Sequence, residues 1–365
     1  MEKLMFNTFI ELNRHFRCEV VCPFGGKSSV NKGELVHEVP GKFLPIFYIA
    51  ACIKSISACR RTRPDIIIGG SGLVSPIVVL LSSLFGSKSV VFVHGLDLVA
   101  DSFIFKKFFV PTIPHVDFIV ANSNNTARLA RDIGVLSENI TVINPGVEIP
   151  NPSAVNPDRL RIWKKQLHID GHPIMLSVGR LVQRKGIADF VDHGMGLIRE
   201  KIPNIRFIVI GGEAVNAIRK SNCELAKIKA VIKKRGLEDN VLLLGEVDEA
   251  TLHLAFSAAE LFVFPLVKTH ADVEGFGMVA IEAAAFGLPT IAFDEGGVSD
   301  AIKENTTGYL ISPGDYISFA SKAIEILVKS NDYVFQEDGC RQFAKLFSWM
   351  NYGKKMQKFI RQIQI

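Results

Sequence analysis

Long apolar runs are missing from this 365-residue chain. None reaches the ~18 residues a membrane-spanning helix needs. The longest candidates, Phe43–Ile53 and Ile77–Phe85, read as buried helices of an α/β protein. Met1–Phe16 mixes charges among its apolar positions, so no secretory leader is read there and a cytoplasmic protein is expected. Paired cysteine spacing is missing too. Cys18, Cys22, Cys52, Cys59, Cys223 and Cys340 are scattered without a C-x-x-C, which speaks against a disulfide framework or a cysteine metal site and for buried thiols. There is no Asp-x-Asp metal motif and no metal-type histidine spacing, so no metal or cofactor is expected. Gly69-Gly70-Ser71-Gly72 and Gly211-Gly212-Glu213 each follow a strand-like run, but neither completes G-x-G-x-x-G; both read as turns that let helices pack closely. Charge of one sign is scarce: the formal net charge is +5, with 15 basic and 12 acidic side chains in residues 1–150 and 27 and 25 in the rest. That balance excludes nucleic acid as the expected partner.

At this length two domains are the natural expectation. Strand-like and helical runs alternate throughout, the pattern of parallel sheets with crossover helices. Strands are expected at Glu19–Cys22, Asp65–Ile68, Val90–His94, Phe118–Ala121 and Thr141–Ile143, then at Ile174–Val178, Arg206–Ile210, Val241–Leu244, Leu261–Phe264 and Thr290–Ala292. Helices are expected over Phe47–Arg60 and Thr126–Ile133. The polar, proline-bearing stretch Pro150–Pro157 reads as a linker between domains 1–150 and 151–346, with residues 347–365 as a terminal helix. No repeat or low-complexity tract interrupts this pattern.

The most informative stretch is Asp272-Val273-Glu274-Gly275-Phe276-Gly277-Met278-Val279-Ala280-Ile281-Glu282. A glycine-flanked turn leads into a helical run whose open N-terminus, with unpaired N–H groups and a positive dipole end, suits phosphate. Glu274 stands beside that terminus and can accept bonds from sugar hydroxyls. Glu282 lies up to ~12 Å further along a helix rising 1.5 Å per residue, less the backward lean of its side chain. Two acids with a phosphate site between them suit a nucleotide sugar. A glycosidase pair would sit ~5–9.5 Å apart across the bond, and nothing marks either acid as a raised-pKa donor. Arg180 and Lys185 follow the second domain's first strand and read either as diphosphate ligands or as an ordinary solvated loop. His94 ends a strand and reads either as a core residue or as a group entering the ligand cleft. Lysines 106 and 107, among Phe103-Ile104-Phe105 and Phe108-Phe109, read either as the solvated edge of a core helix or as a patch docking on anionic lipid.

These residues, with Val93-His94-Gly95, Ala121-Asn122-Ser123, Ile140–Val147, Ser177–Leu181, Arg184-Lys185-Gly186, Gly287–Thr290, Gly296-Gly297, Gly308–Leu310, Pro313–Asp315 and Phe347-Ser348-Trp349, resemble the retaining glycosyltransferases of family 4 over nearly the whole chain. The resemblance implies the GT-B architecture: two Rossmann-like, doubly wound parallel-sheet domains facing a central cleft, with a last helix crossing back to the first domain. In this chain Trp349, Met356, Phe359 and Ile360 would anchor that helix. It also implies roles. His94 and Glu274 would contact the donor sugar at the reacting centre. Arg180 and Lys185 would hold the diphosphate, Gly275, Phe276, Gly277, Met278 and Val279 would line the donor, Glu282 would take the ribose, and Glu246 and Val247 would lie by the base.

One departure stands out. Met5–Phe16 resembles the family's first helix, but the strand and glycine-rich loop that should precede it are missing. Such a strand lies centrally in the sheet, so its loss would strip hydrogen bonds from two neighbours. Either a start further upstream or an altered copy would account for this.

The expected function is transfer of a hexose from a nucleoside diphosphate sugar, GDP-mannose or a UDP-sugar, to a hydroxyl of a saccharide or lipid-linked acceptor, with retention. Such a reaction belongs to cell-envelope polysaccharide or lipopolysaccharide synthesis, with peripheral contact on the inner face of the plasma membrane. The alternative is a non-catalytic GT-B remnant that binds nucleotide or a partner protein. A GT-B-like epimerase acting on UDP-N-acetylglucosamine is disfavoured by the Glu274–Glu282 element.

Overall fold

The computed structural model describes residues 2–25, 35–41, 43–150, 155–213, 224–270, 272–328 and 337–364. Residues 151–154 of the expected linker, and Cys223, lie outside them. Contacts divide the chain into two compact units, Met1–Gly146 with Trp349–Ile365, and Val147–Ser348.

The first unit opens with α1 (Glu2–Asn13), β1 (Glu19–Pro23) and β2 (Leu35–Val39). It continues through α2 (Leu44–Thr62), β3 (Ile66–Gly69), α3 (Ser75–Phe85), β4 (Lys88–Val93), α4 (Leu96–Val99), α5 (Phe103–Phe108), β5 (Phe118–Ala121), α6 (Asn124–Asp132) and β6 (Ile140–Val142). All its strand pairs are parallel, in two sheets: β1-β2 and β3-β4-β5-β6. Alternation along β4 explains its continuous apolar run. Val90 and Phe92 face one core, with Val120, Leu4 and Leu12, while Val91 and Val93 face another, with Ile119, Ala121 and Ile113. The C-terminal helix Trp349–Ile363 returns to this unit, burying Tyr352, Met356, Phe359 and Ile360 on the first of these cores.

Between β1 and β3 no ladder is formed among the described residues, and both strands stay half-buried where β4 is fully buried. This interruption falls where the resemblance implies a further strand.

The helices read as buried from Phe43–Ile53 and Ile77–Phe85 are corrected by the structure. Leu44, Ile46, Ile49 and Ile53 of α2 are exposed, as are Leu80 and Leu84 of α3. An unbroken apolar run satisfies a core on one side only, and these helices each pack one face. Ala51 and Cys59 of α2 and Ile77 and Leu81 of α3 are the residues that turn inward.

The second unit carries α7 (Pro157–Gln166), β7 (Ile174–Val178), α8 (Ile187–His193), α9 (Met195–Lys201), β8 (Arg206–Ile210), α10 (Glu224–Arg235), β9 (Val241–Gly245), α11 (Glu249–Ala258), β10 (Leu261–Phe264), α12 (Met278–Ala285), β11 (Thr290–Phe293), β12 (Gly308–Ile311), α13 (Tyr316–Val328) and α14 (Glu337–Lys345). Its sheet is one parallel ladder, β12-β11-β10-β7-β8-β9. Ile174, Leu176, Ile208, Ile210, Phe262 and Phe264 face one core, and Met175, Phe207, Val209, Leu261 and Val263 the other. Two strands were not expected from the sequence, β2 and β12. Both lie at sheet edges. The segments entering and leaving this unit pair with each other, the Val147 N–H donating to the Phe347 carbonyl at 2.7 Å. The terminal helix Trp349–Ile363 is α15.

Candidate functional site

In the second unit the strand order reverses at β7: β8 and β9 lie to one side, β10 to the other. Open α/β sheets bind ligands beyond the carboxyl ends of strands at such a switch point. The loops leaving β7 and β10 meet there. Gly186 closes the first loop at φ +66, and a β-carbon on it would lie 1.8 Å from the Pro265 carbonyl oxygen of the second, so only glycine permits this approach. The Val267 N–H donates to the Arg184 carbonyl at 3.0 Å, fastening the two loops.

That approach buries charge. The Lys185 ammonium donates to Glu274 Oε2 at 2.8 Å and stands 4.5 Å from the centre of the Phe264 ring. Arg184 reaches the same Oε2 with Nη1 at 3.6 Å and Asp272 Oδ2 with Nε at 3.1 Å. Neither contact has hydrogen-bond geometry, so Nε and Nη1 are buried donors without a hydrogen-bond partner. Burial pushes the Glu274 carboxyl up, but the Lys185 and Arg184 charges, with Arg180 beyond them, outweigh it and hold the acid below its ordinary range. Lys185 is pushed below its usual range by burial, against the pull of Glu274, with the Arg184 and Arg180 cations adding to the fall. Three cations (Arg180, Arg184, Lys185) face two carboxylates (Asp272, Glu274), leaving a positive excess where the β10 loop enters α12.

Gly277, at φ +94, opens α12, whose eight residues carry Met278, Val279 and Glu282 on one helix. Gly275 precedes it in the same turn. The Phe276 side chain is buried against Phe347, ring centres 5.7 Å apart, so its backbone alone is available to a ligand. The Gly297 N–H donates to the Glu274 carbonyl at 2.8 Å, which ties the glycine pair after β11 to the acid. Glu246 follows β9 and lies over Gly212, and Val247 packs on the core below. A cavity of about 270 Å³ adjoins these turns, lined by Leu181, Gly211, Gly212, Glu213 and Gly245 among others.

Arg184 and Asp272 were not singled out in the sequence as site residues. Their signal was present in Gln183-Arg184-Lys185 and in the two-residue spacing of Asp272 and Glu274, but only the folded loops pair them.

In the first unit His94 follows β4 directly, its Nε2 2.9 Å from the Gly70 carbonyl oxygen and its ring stacked on Phe92. Among the described residues no three His, Cys, Asp or Glu side chains are grouped to hold a metal, and no helix is long and apolar enough to cross a membrane.

Two parallel-sheet α/β units, the second with a charged switch-point site, define a GT-B protein. Residues 1–149 match the family described as Glycosyltransferase Family 4, and residues 158–337 match Glycosyl transferases group 1. The chain belongs to the family-4-like glycosyltransferases. It is 31% identical over 230 residues to mannosylfructose-phosphate synthase of Agrobacterium fabrum, covering 62% of this chain and 49% of that protein. It is 25% identical over 247 residues to a GDP-mannose-dependent alpha-(1-6)-phosphatidylinositol monomannoside mannosyltransferase of Mycobacterium tuberculosis, covering 66% and 60%. The chain thus spans about half to three-fifths of the length of these curated relatives. Its fold is shared with Anabaena HepE in complex with UDP and glucose, at TM-score 0.80, 17% identity and 99% and 95% coverage. It is shared also with the lipopolysaccharide outer core galactosyltransferase WaaB, at TM-score 0.73, 20% identity and the same coverage.

Proposed function

We propose that this protein transfers a hexose, with retention, from a nucleoside diphosphate sugar to a hydroxyl of a saccharide or glycolipid in cell-envelope synthesis. The observation that carries this reading is the cluster at the entrance to α12, where Arg184, Lys185 and Glu274 are largely buried and Arg180 is exposed beside them. A diphosphate matches its positive excess and the open helix N-terminus. Negative charge grows on the diphosphate as the sugar leaves, so Arg180 and Lys185 bind it more strongly in the transition state than in the ground state. Glu274, held ionised, accepts from the sugar hydroxyls. Glu282, further along α12, accepts from the ribose, and Glu246 and Val247 border the base. GDP-mannose and UDP-sugars are the donor classes, in keeping with the relatives' named activities, and no cofactor or metal is proposed.

The acceptor is proposed to be met at a membrane surface. The α2 helix has Lys54, Arg60 and Arg61 and no acidic residue, and its exposed Ile46, Ile49 and Ile53 share a stripe. From the same helix Tyr48 rests on Phe109, ring centres 5.3 Å apart, just after α5, where Phe103, Ile104 and Phe108 are exposed beside Lys106 and Lys107. Apolar side chains rimmed by cations suit the headgroup region of an anionic leaflet.

A second reading, nucleotide binding without turnover, is favoured by the interruption between β1 and β3. Calorimetric titration with GDP, UDP and ADP, followed by transfer assays with the matching sugar nucleotides, separates the two. Micromolar binding of one nucleotide with turnover is expected. Binding without turnover selects the second reading, and a folded protein that binds none of the three overturns both.

A further inference from the structure

The first unit ties its loops together through one buried carboxylate. Asp97 Oδ1 accepts from the His94 N–H at 2.7 Å, and Oδ2 accepts from the Gly72 N–H at 2.9 Å. One side chain thereby joins the turn after β4 to the turn after β3. This is not ordinary helix capping. Asp97 sits inside the four-residue α4, with Gly95 at the cap position, and both of its partners lie outside that helix.

The ring of His94 closes the same circuit. Its Nε2 faces the carbonyl oxygen of Gly70, two residues before the clamped Gly72. A carbonyl oxygen only accepts, so Nε2 carries a proton, and whenever the ring is neutral Nδ1 keeps its lone pair. Further along the rim, the Asn122 amide donates to the His94 carbonyl at 3.5 Å, and the Asn144 amide donates to the Asn122 carbonyl at 3.1 Å. The turns after all four strands of the sheet are linked this way, which also gives a physical reason for Asn122 and Asn144 in their motifs.

We propose that Asp97 is a positioning residue. By clamping the backbones of Gly72 and His94 it holds the histidine as its Nε2–H tautomer, with Nδ1 presented to accept a hydrogen bond from a saccharide hydroxyl. The identity of that ligand rests on the function proposed above; the tautomer and the clamp do not. Replacing Asp97 by asparagine leaves one acceptor oxygen for two N–H groups, so one turn is released and the contact to Gly70 loosens.

Long-range proton–nitrogen correlation on the full chain with labelled histidine tests this, at a pH of about 8 where imidazole is neutral. The His94 signal is identified by its loss in His94→Gln. In the wild type Nε2 is expected to be protonated and Nδ1 bare. In Asp97→Asn the signal moves to a mixture of tautomers, kcat for transfer falls about tenfold as orientation is lost, and the donor KM stays within about twofold. A wild-type Nδ1–H signature overturns the proposal whether or not the variants fold. So does a folded Asp97→Asn variant that keeps a pure Nε2–H signature and its kcat. Failure of the functional reading shows differently: no transfer from any nucleotide sugar while the wild-type signature stands.

Discussion

Of the 18 large apolar side chains exposed among the described residues, 14 belong to the first unit and four, Ile162, Ile317, Val328 and Leu346, to the larger second unit. Each unit also buries charge, Glu11 and Asp97 in the first and Lys185 and Glu224 in the second, but only the second gathers it into a cluster of opposite signs. The second unit packs Lys185, Arg184 and Glu274 beneath two apposed loops on an unbroken six-stranded sheet. The first unit ties its turns with hydrogen bonds to backbone and leaves apolar faces of α2, α3 and α5 to solvent. Desolvating charge is costly and persists where a rigid frame and a ligand reward it. Exposing a patch of this kind is equally unusual for a surface with no partner. In the function proposed above, small-anion chemistry falls to the second unit and a broad apolar, cation-rimmed contact to the first.

Removing the amine at the centre of the charged cluster is the strongest way to break this contrast. Lys185→Ala is expected to cut transfer by about 10²–10³, as for other donors aimed at developing charge. It should also weaken nucleotide binding in calorimetry. Transfer within a few-fold of wild type would remove the site from the second unit.

The acid partner sharpens the same point through pH. The folded value of Glu274 lies below its ordinary 4.5, so the folded protein holds that proton less tightly than the unfolded chain does. Its contribution is therefore fully present above about 4.5 and is lost as pH falls through the lower folded value. Urea unfolding of wild type and Glu274→Gln should differ by about 2 kcal/mol near neutrality, in the range for leaving a buried donor poorly satisfied. The gap should close in acid. A gap that stays constant from pH 7 to pH 3 would mean that Glu274 is not held by its cations.

For the first unit, Ile49→Ser with Ile53→Ser is expected to lower partition onto vesicles containing about 30% anionic lipid by about tenfold. Lys106→Glu with Lys107→Glu should flatten the salt dependence of that partition. Sedimentation measures both. Unchanged partition in the isoleucine pair would sink the docking face and leave the contrast without its first half.

Much of the sheet framework was legible, because β4, β5, β7, β8 and β10 are doubly buried and their continuous β-branched and aromatic runs have one reading. The edge strand β2 was hidden by the His37-Glu38 pair in its middle, and β12 by its brevity, four residues opened by a glycine. The same ambiguity misled at α2 and α3: an apolar run reports that a helix has a partner on one side but not whether the opposite side is covered. At the candidate site, Lys185 was read from its place after a strand and Glu274 from the glycine-flanked turn before a helical run, and the fold brings the two to 2.8 Å, whereas the Arg184–Asp272 contact needed the approach that Gly186 alone permits. Asp97 carried no signal, because a short turn helix with one acid is commonplace until its two backbone partners are seen.

The finest test separates the ends of the site. Glu282 sits on α12 beyond the turn proposed to bind phosphate, and its proposed partners are ribose hydroxyls rather than the leaving group. Glu282→Ala should therefore cost about 1 kcal/mol of nucleotide affinity, roughly a fivefold rise in Kd, the net contribution of a typical hydrogen bond. The rate of the chemical step at saturating donor should hold, because the ribose is bound equally in ground and transition states. Calorimetry against single-turnover transfer distinguishes the two quantities. A fall in the saturated rate with affinity unchanged would place Glu282 at the reacting sugar and reverse the direction in which the donor lies along α12.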